Sequence, residues 1–207
     1  MRNITKFILL SIFLTADAVT ATPSERFIVN STNESPLLDG RCGNDDWEPA
    51  TSIQLPADVT IFLMHDKKYF YICVKGKAED INVLDLYVES ADIGQPHKYH
   101  LSAQMGESKL TENGWESTSV QGVRNGYAGL WVPYSGLKDP ENRKDPTFER
   151  GTHRQVQIAR DKFPGNTWHM MFTVSAIKHN DAWSEFTFPE NGDPENTLSW
   201  GTFTFTI

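Results

Sequence analysis

A two-residue alternation of apolar and polar side chains, repeated in short runs, constrains this chain more than any other feature. No long stretch shows the 3.6-residue period of an amphipathic helix. Successive side chains of a strand point to opposite faces. In Val83-Leu-Asp-Leu-Tyr-Val-Glu89, Leu84, Leu86 and Val88 therefore face one way, and Asp85, Tyr87 and Glu89 the other. Strands are predicted at Val59–Met64, Tyr69–Lys75, Val83–Glu89, Lys98–Gln104, Tyr127–Pro133, Arg154–Ala159, Trp168–Lys178 and Thr202–Ile207. Turn chemistry separates them, as at Asp66-Lys-Lys68, Glu112-Asn-Gly114 and Glu190-Asn-Gly192. Short strands with one apolar face can hide it only against another layer. The pattern predicts an all-β fold, a two-sheet antiparallel β-sandwich of the immunoglobulin-like or jelly-roll type. Its expected interior is Ile72, Val74, Leu84, Leu86, Val88, Leu101, Val156, Ile158, Phe172 and Val174. The charged stretch Lys138–Gly151, with Pro140 and Pro146, reads as a long surface insertion.

The first residues set the compartment. Arg2 and Lys6 precede the apolar run Phe7–Leu14, and small residues follow at Val19–Ala21, the layout of a secretory signal peptide over residues 1–21. The apolar run is well short of the ~20 residues that a membrane span needs. Residues 22–37 read as an extended, mobile lead-in carrying Asn-x-Ser/Thr sequons at Asn30 and Asn33, and residues 38–207 as a single domain. The expected location is secreted or periplasmic. The formal net charge is −8. Such a surface repels polyphosphates and anionic lipid, so neither nucleic acid nor membrane insertion is expected. The only cysteines are Cys42 and Cys73; in an exported chain an even pair is most simply one disulfide, with two buried thiols as the alternative.

Several motifs, taken in order, resemble one family. An Asp39-Gly40 turn leads into an acidic stretch and Trp47; a hairpin follows over Val59–Ile72, then the strands Val83–Glu89 and Tyr99–Ser102. Gln155–Phe163, Ala182-Trp-Ser184 and the closing Trp200–Phe205 complete the set. The chain from Leu38 to Ile207 resembles the carbohydrate-binding module family 9 (DOMON-like) β-sandwiches. The resemblance implies a non-catalytic module that binds a carbohydrate or other small extracellular ligand, a monomer, and at most an accessory to glycoside hydrolysis in carbohydrate catabolism. It also places Cys42 and Cys73 in adjacent elements. In the sugar-binding members two Trp rings sandwich a terminal sugar. One comes from the loop before the third strand, here Gly76–Asn82 without an aromatic. The other precedes an Asp-Pro near the end, where this chain has Gly192 before Asp193-Pro194. Both rings are missing.

A binding face therefore has to be read from the polar half of the alternation. Hydroxyl-rich ligands need convergent donors and acceptors together with one apolar stacking surface. If the strands are neighbours, Asp85, Tyr87, His100, Gln157 and Thr173 supply the polar groups; an ordinary solvated sheet face is the bland alternative. Trp115, Trp131 and Trp200 are candidate platforms, whereas Trp47 and Trp183 are expected to pack in the core. Asp39, Asp45, Asp46 and Glu48 are oxygen donors of the kind a structural calcium ion takes, although their spacing favours a solvated acidic turn. His97 and His100 lack a third ligand for zinc. The alternative function is a haem-b electron-transfer domain of the DOMON type, with Met64, Met105, Met171, His65 and His169 as axial candidates.

Overall fold

The computed structural model describes residues 26–42, 45–90, 92–102, 105–119, 126–130, 134–139, 141–142, 144–148 and 153–206. Its strands are β1 (Arg26–Ser31), β2 (Thr51–Leu55), β3 (Val59–His65), β4 (Tyr69–Lys75) and β5 (Val83–Ser90). Then come β6 (His97–Leu101), β7 (Met105–Thr111), β8 (Gly114–Ser119), β9 (Tyr127–Leu130), β10 (Tyr134–Asp139) and β11 (Lys144–Phe148). The chain closes with β12 (His153–Ala159), β13 (Thr167–His179), β14 (Ala182–Phe188) and β15 (Gly201–Phe205).

All of these strands except β10 and β11 form one curled sheet with two facing halves. One half runs β8-β7-β6-β5-β13-β15, with β14 alongside the far end of β13; the other runs β3-β4-β12-β9, with β2 on β3. β1 joins them, pairing in parallel with β15 in one half and with β3 in the other. The all-β sandwich expected from sequence is present, with two differences. The segment read as a mobile lead-in supplies a paired strand, and its pairings are parallel where an antiparallel sandwich was expected. The charged insertion supplies β11, which pairs with β10 from just before it in a separate hairpin.

The interior lies between the halves. Every residue predicted for it belongs to one buried cluster, which draws on β3, β4 and β12 from one side and β5, β6, β13 and β15 from the other. Each such side chain contributes roughly 1.5–3 kcal/mol on burial. Aromatic rings seal the centre: Trp168 packs edge-on against Phe70 and Phe205, and its indole N–H donates to the Phe163 carbonyl at 2.9 Å.

The opening segment covers the outer face of β3 and β4. Cys42 is bonded to Cys73 across a Cα–Cα distance of 5.9 Å, and the pair packs with Trp47, Met64 and Tyr71. Gln155, buried on β12, accepts from the Gly40 N–H and donates to the Leu37 carbonyl, both at 2.8 Å. That outer face is thus closed by the chain itself. The outer face of the opposite half carries the polar side chains of β5, β6, β13 and β14.

Candidate functional site

Strand pairing builds this open face row by row. Antiparallel partners share a face, and the register sets His100 opposite Asp85, Asp85 opposite Thr173, and Thr173 opposite Thr187. One transverse row therefore reads Thr187–Thr173–Asp85–His100 across four adjacent strands. His100 Nδ1 lies 2.6 Å from Asp85 Oδ1, and its Nε2 lies 2.8 Å from Ser102 Oγ. The Thr173 and Thr187 hydroxyls are 3.3 Å apart. The row remains open to solvent: the His100 side chain is 41% exposed and that of Asp85 25%. Beyond His100 the next partner is Gly106, where an added Cβ would meet nothing within 4 Å.

One step along the strands, the row Met171–Tyr87–Lys98–Ser108 carries the apolar element of the site. Tyr87 meets Trp115 edge-on at 5.4 Å and Trp200 at 6.0 Å between ring centroids. Lys98 Nζ sits 5.9 Å from the Tyr87 ring and 5.8 Å from the Trp115 ring. Burial, then the negative charge of Asp85 and Glu185, pushes the Tyr87 phenol up to about 12, so it stays protonated. Trp115 is half-buried; its indole nitrogen is itself buried, without a hydrogen-bond partner among the described residues, so the ring offers an apolar edge and no exposed donor. An aromatic edge next to a carboxylate, an imidazole and hydroxyls can hold a hydroxyl-rich ring.

The sequence-derived site residues divide accordingly. Asp85, Tyr87, His100 and Thr173 come together, with Trp115 at the border. Gln157 does not join them, because β12 pairs with β4 and β9, in the half of the sheet opposite β13. It lines a separate recess of about 130 Å³ with Tyr69, Tyr127 and Ala128. Trp200 is fully buried, and its indole N–H donates to the Asp193 carbonyl at 2.8 Å, so it supports Tyr87 and Met171 from beneath and offers no platform. Trp131 lies outside the described residues. Trp183, expected in the core, is 54% exposed on β14. The alternation of β14 carried that signal, since Phe186 and Phe188 occupy its inward positions and Trp183, Glu185 and Thr187 the outward ones.

The two positions where the family resemblance places sandwiching Trp rings are closed here by other groups. In the Gly76–Asn82 turn the Asp80 carboxylate is fully buried; it accepts from the Lys77 and Lys178 amides at 2.6 and 2.7 Å and lies 3.1 Å from Lys77 Nζ. Beside it, a Cβ on Gly76 would fall 2.7 Å from Asp80 Oδ2. At Gly192 a Cβ would fall 2.5 Å from Met171 Sδ and 3.1 Å from the Pro189 carbonyl. The thioether fills the space that a ring at 192 would need.

Two larger clefts border the fold. One, of about 520 Å³, runs between Gln54–Pro56 and the Glu185–Phe188 edge of β14, flanking the polar row at Thr187. The other, of about 490 Å³, is lined by Ser31–Pro36, Asp46 and Pro49. Among the described residues no three His, Cys, Asp or Glu side chains converge on a metal position, and the Asp39 carboxylate accepts from the Arg41 amide at 2.9 Å. The haem candidates are dispersed. Met64 faces outward from β3 into the disulfide cluster, whereas Met171 and His169 face outward from β13 on the opposite half. Met64 therefore cannot share one iron with Met171 or His169.

Beneath the site, Glu107 anchors β7 to the core. Its buried carboxylate contacts His97 Nδ1 at 2.7 Å, Lys162 Nζ at 2.9 Å and the Tyr99 hydroxyl at 3.2 Å. Burial alone would raise its pKa, but the hydrogen bonds and charge of His97 and Lys162 prevail and hold it at about 2. A carboxyl depressed in the folded state stabilises fully above its unfolded pKa near 4.5, and that contribution disappears as pH falls towards 2. The melting temperature is expected to drop between pH 4.5 and 2, and Glu107→Gln should flatten that acid limb. An unchanged limb in Glu107→Gln would assign the acid sensitivity to other groups.

No protein-family model matches the chain, and no curated protein matches it in sequence. Solved structures do resemble its fold. Two are of a carbohydrate-binding module of family 9 from Caldicellulosiruptor kristjanssonii, one in complex with cellotriose and one with glucose. Each is 15% identical with a TM-score of 0.50, covering 88% of this chain and 94% or 96% of the other. The chain has a family 9-like carbohydrate-binding-module fold.

Proposed function

We propose that this chain is a secreted, non-catalytic carbohydrate-binding domain that acts beside polysaccharide-degrading enzymes, and that it binds its ligand on the open face of β5, β6, β13 and β14. The observation that carries the reading is the continuous row Thr187–Thr173–Asp85–His100 beside the Tyr87–Trp115 edge. Asp85 accepts and orients, the imidazole and hydroxyls donate or accept, and the half-buried Trp115 gives an apolar edge. The likeness to modules solved with cellotriose and glucose supports a sugar as ligand class. Export is supported by the amino-terminal leader and by the Cys42–Cys73 bond, which persists in oxidising compartments. Among the described residues no helix is long and apolar enough to cross a membrane.

Without the ring sandwich, affinity is expected to be weak, because one partial platform gives less contact than two. The test is calorimetric titration of the secreted protein with a panel of oligosaccharides. Asp85→Ala and His100→Ala should each abolish measurable binding and leave the melting temperature nearly unchanged. Undiminished binding in both variants would move the site off this face. The hydrogen-bonded order Asp85–His100–Ser102 is also that of an acyl-transfer relay. In the binding reading, this relay fixes the orientation of the imidazole.

A further inference from the structure

Trp183 is a large aromatic ring left 54% exposed at the end of the same face, and neither the core nor the polar row uses it. Its position is fixed. Asn180 and Asp181, both at positive φ (48° and 61°), make the tight turn between β13 and β14, and Trp183 is the second residue of β14. Lys178 pairs with it across the hairpin; the ammonium lies 5.4 Å from the ring centroid while donating to the Asp181 carbonyl at 2.8 Å. A turn and a tethered cation thus hold the indole in place, and a preorganised ring loses little freedom when a ligand stacks on it. Along β14 the outward positions run Trp183, Glu185, Thr187, so the ring stands four residues, about 13 Å, from Thr187 in the polar row. Both Glu185 and Thr187 also line the cleft against Gln54–Pro56.

We infer that Trp183 is a second stacking subsite, and that the ligand of this face is an oligosaccharide long enough to reach from the Asp85–His100 row to the hairpin end. The inference rests on the carbohydrate reading of the face and adds to it a ligand length and a second contact. A disaccharide on the row leaves Trp183 untouched, whereas a longer chain running past Thr187 and Glu185 reaches it.

The experiment compares two- and six-unit cello-, xylo- and manno-oligosaccharides by calorimetry against the secreted protein and Trp183→Ala. Because Trp183 is exposed, the variant should keep the native melting temperature. The native protein should bind the six-unit member of its preferred series roughly tenfold tighter than the two-unit member. Trp183→Ala should lose that gain while its two-unit affinity is unchanged, and Trp183→Phe should keep part of it. Equal affinity for both lengths, or a gain that survives Trp183→Ala, would overturn the subsite and leave the row as the site. No binding of any oligosaccharide by the native protein would overturn both.

Discussion

Phe172→Ala is expected to cost about 3–5 kcal/mol of stability, enough to unfold a large fraction of a marginal domain near physiological temperature. Phe172 is fully buried in β13, opposite Leu86 of β5. It meets Phe203 edge-on at 5.6 Å and lies 6.4 Å from Phe188, so one ring ties three neighbouring strands together. Truncation loses the transfer energy of the ring and leaves a void that three paired strands cannot close. Denaturant unfolding would read this directly. A loss under half a kcal/mol would mean that the inward and outward faces of β13 are reversed, and the polar row of the site would lose its basis.

The second large effect is expected at Gly192. Introducing Trp there, to restore one half of the aromatic sandwich of related modules, should destabilise by about 3 kcal/mol and create no new binding. Even a methyl group at 192 falls 2.5 Å from the Met171 sulfur and 3.1 Å from a backbone oxygen. Met171 has no free space to move into, since it is fully buried between Tyr87 and Trp200. Gly192→Ala should therefore cost about 1–3 kcal/mol. Met171→Ala in the same chain should relieve most of that strain, giving a double variant more stable than the two losses summed. Additive losses would show that Met171 is not what closes the position.

Much of this was legible in the sequence because alternation reports faces. It separated Leu84, Leu86 and Val88 from Asp85 and Tyr87, and all of the predicted interior is found in the core. Neighbour order was not legible. Gln157 has the same alternation as Thr173, yet β12 lies in the other half of the sandwich, because pairing is decided by long-range contacts that a single strand does not encode. Two of the tryptophans were misjudged for the same reason. Residue type gives a ring's size but not its surroundings, so Trp200 is buried where a platform was expected and Trp183 is exposed where packing was expected. Strands β7 and β8 escaped notice because Gly106, Ser108, Lys109 and Glu116 break the apolar period at that end of the sheet. The missing Trp pair could be seen as an absence; that Met171 and Asp80 fill those places could not.

The most direct test of the central claim is to follow backbone amide and indole NMR signals of the protein while titrating the oligosaccharide that binds it best. The account predicts that the largest shift changes fall on Asp85, His100, Thr173, Thr187 and the Trp115 indole N–H, with Gln157 and the 31–36 segment unmoved. Changes centred on the 31–36 and 46–49 cleft, or on Tyr69, Tyr127 and Gln157, with the Asp85–His100 row silent, would contradict it.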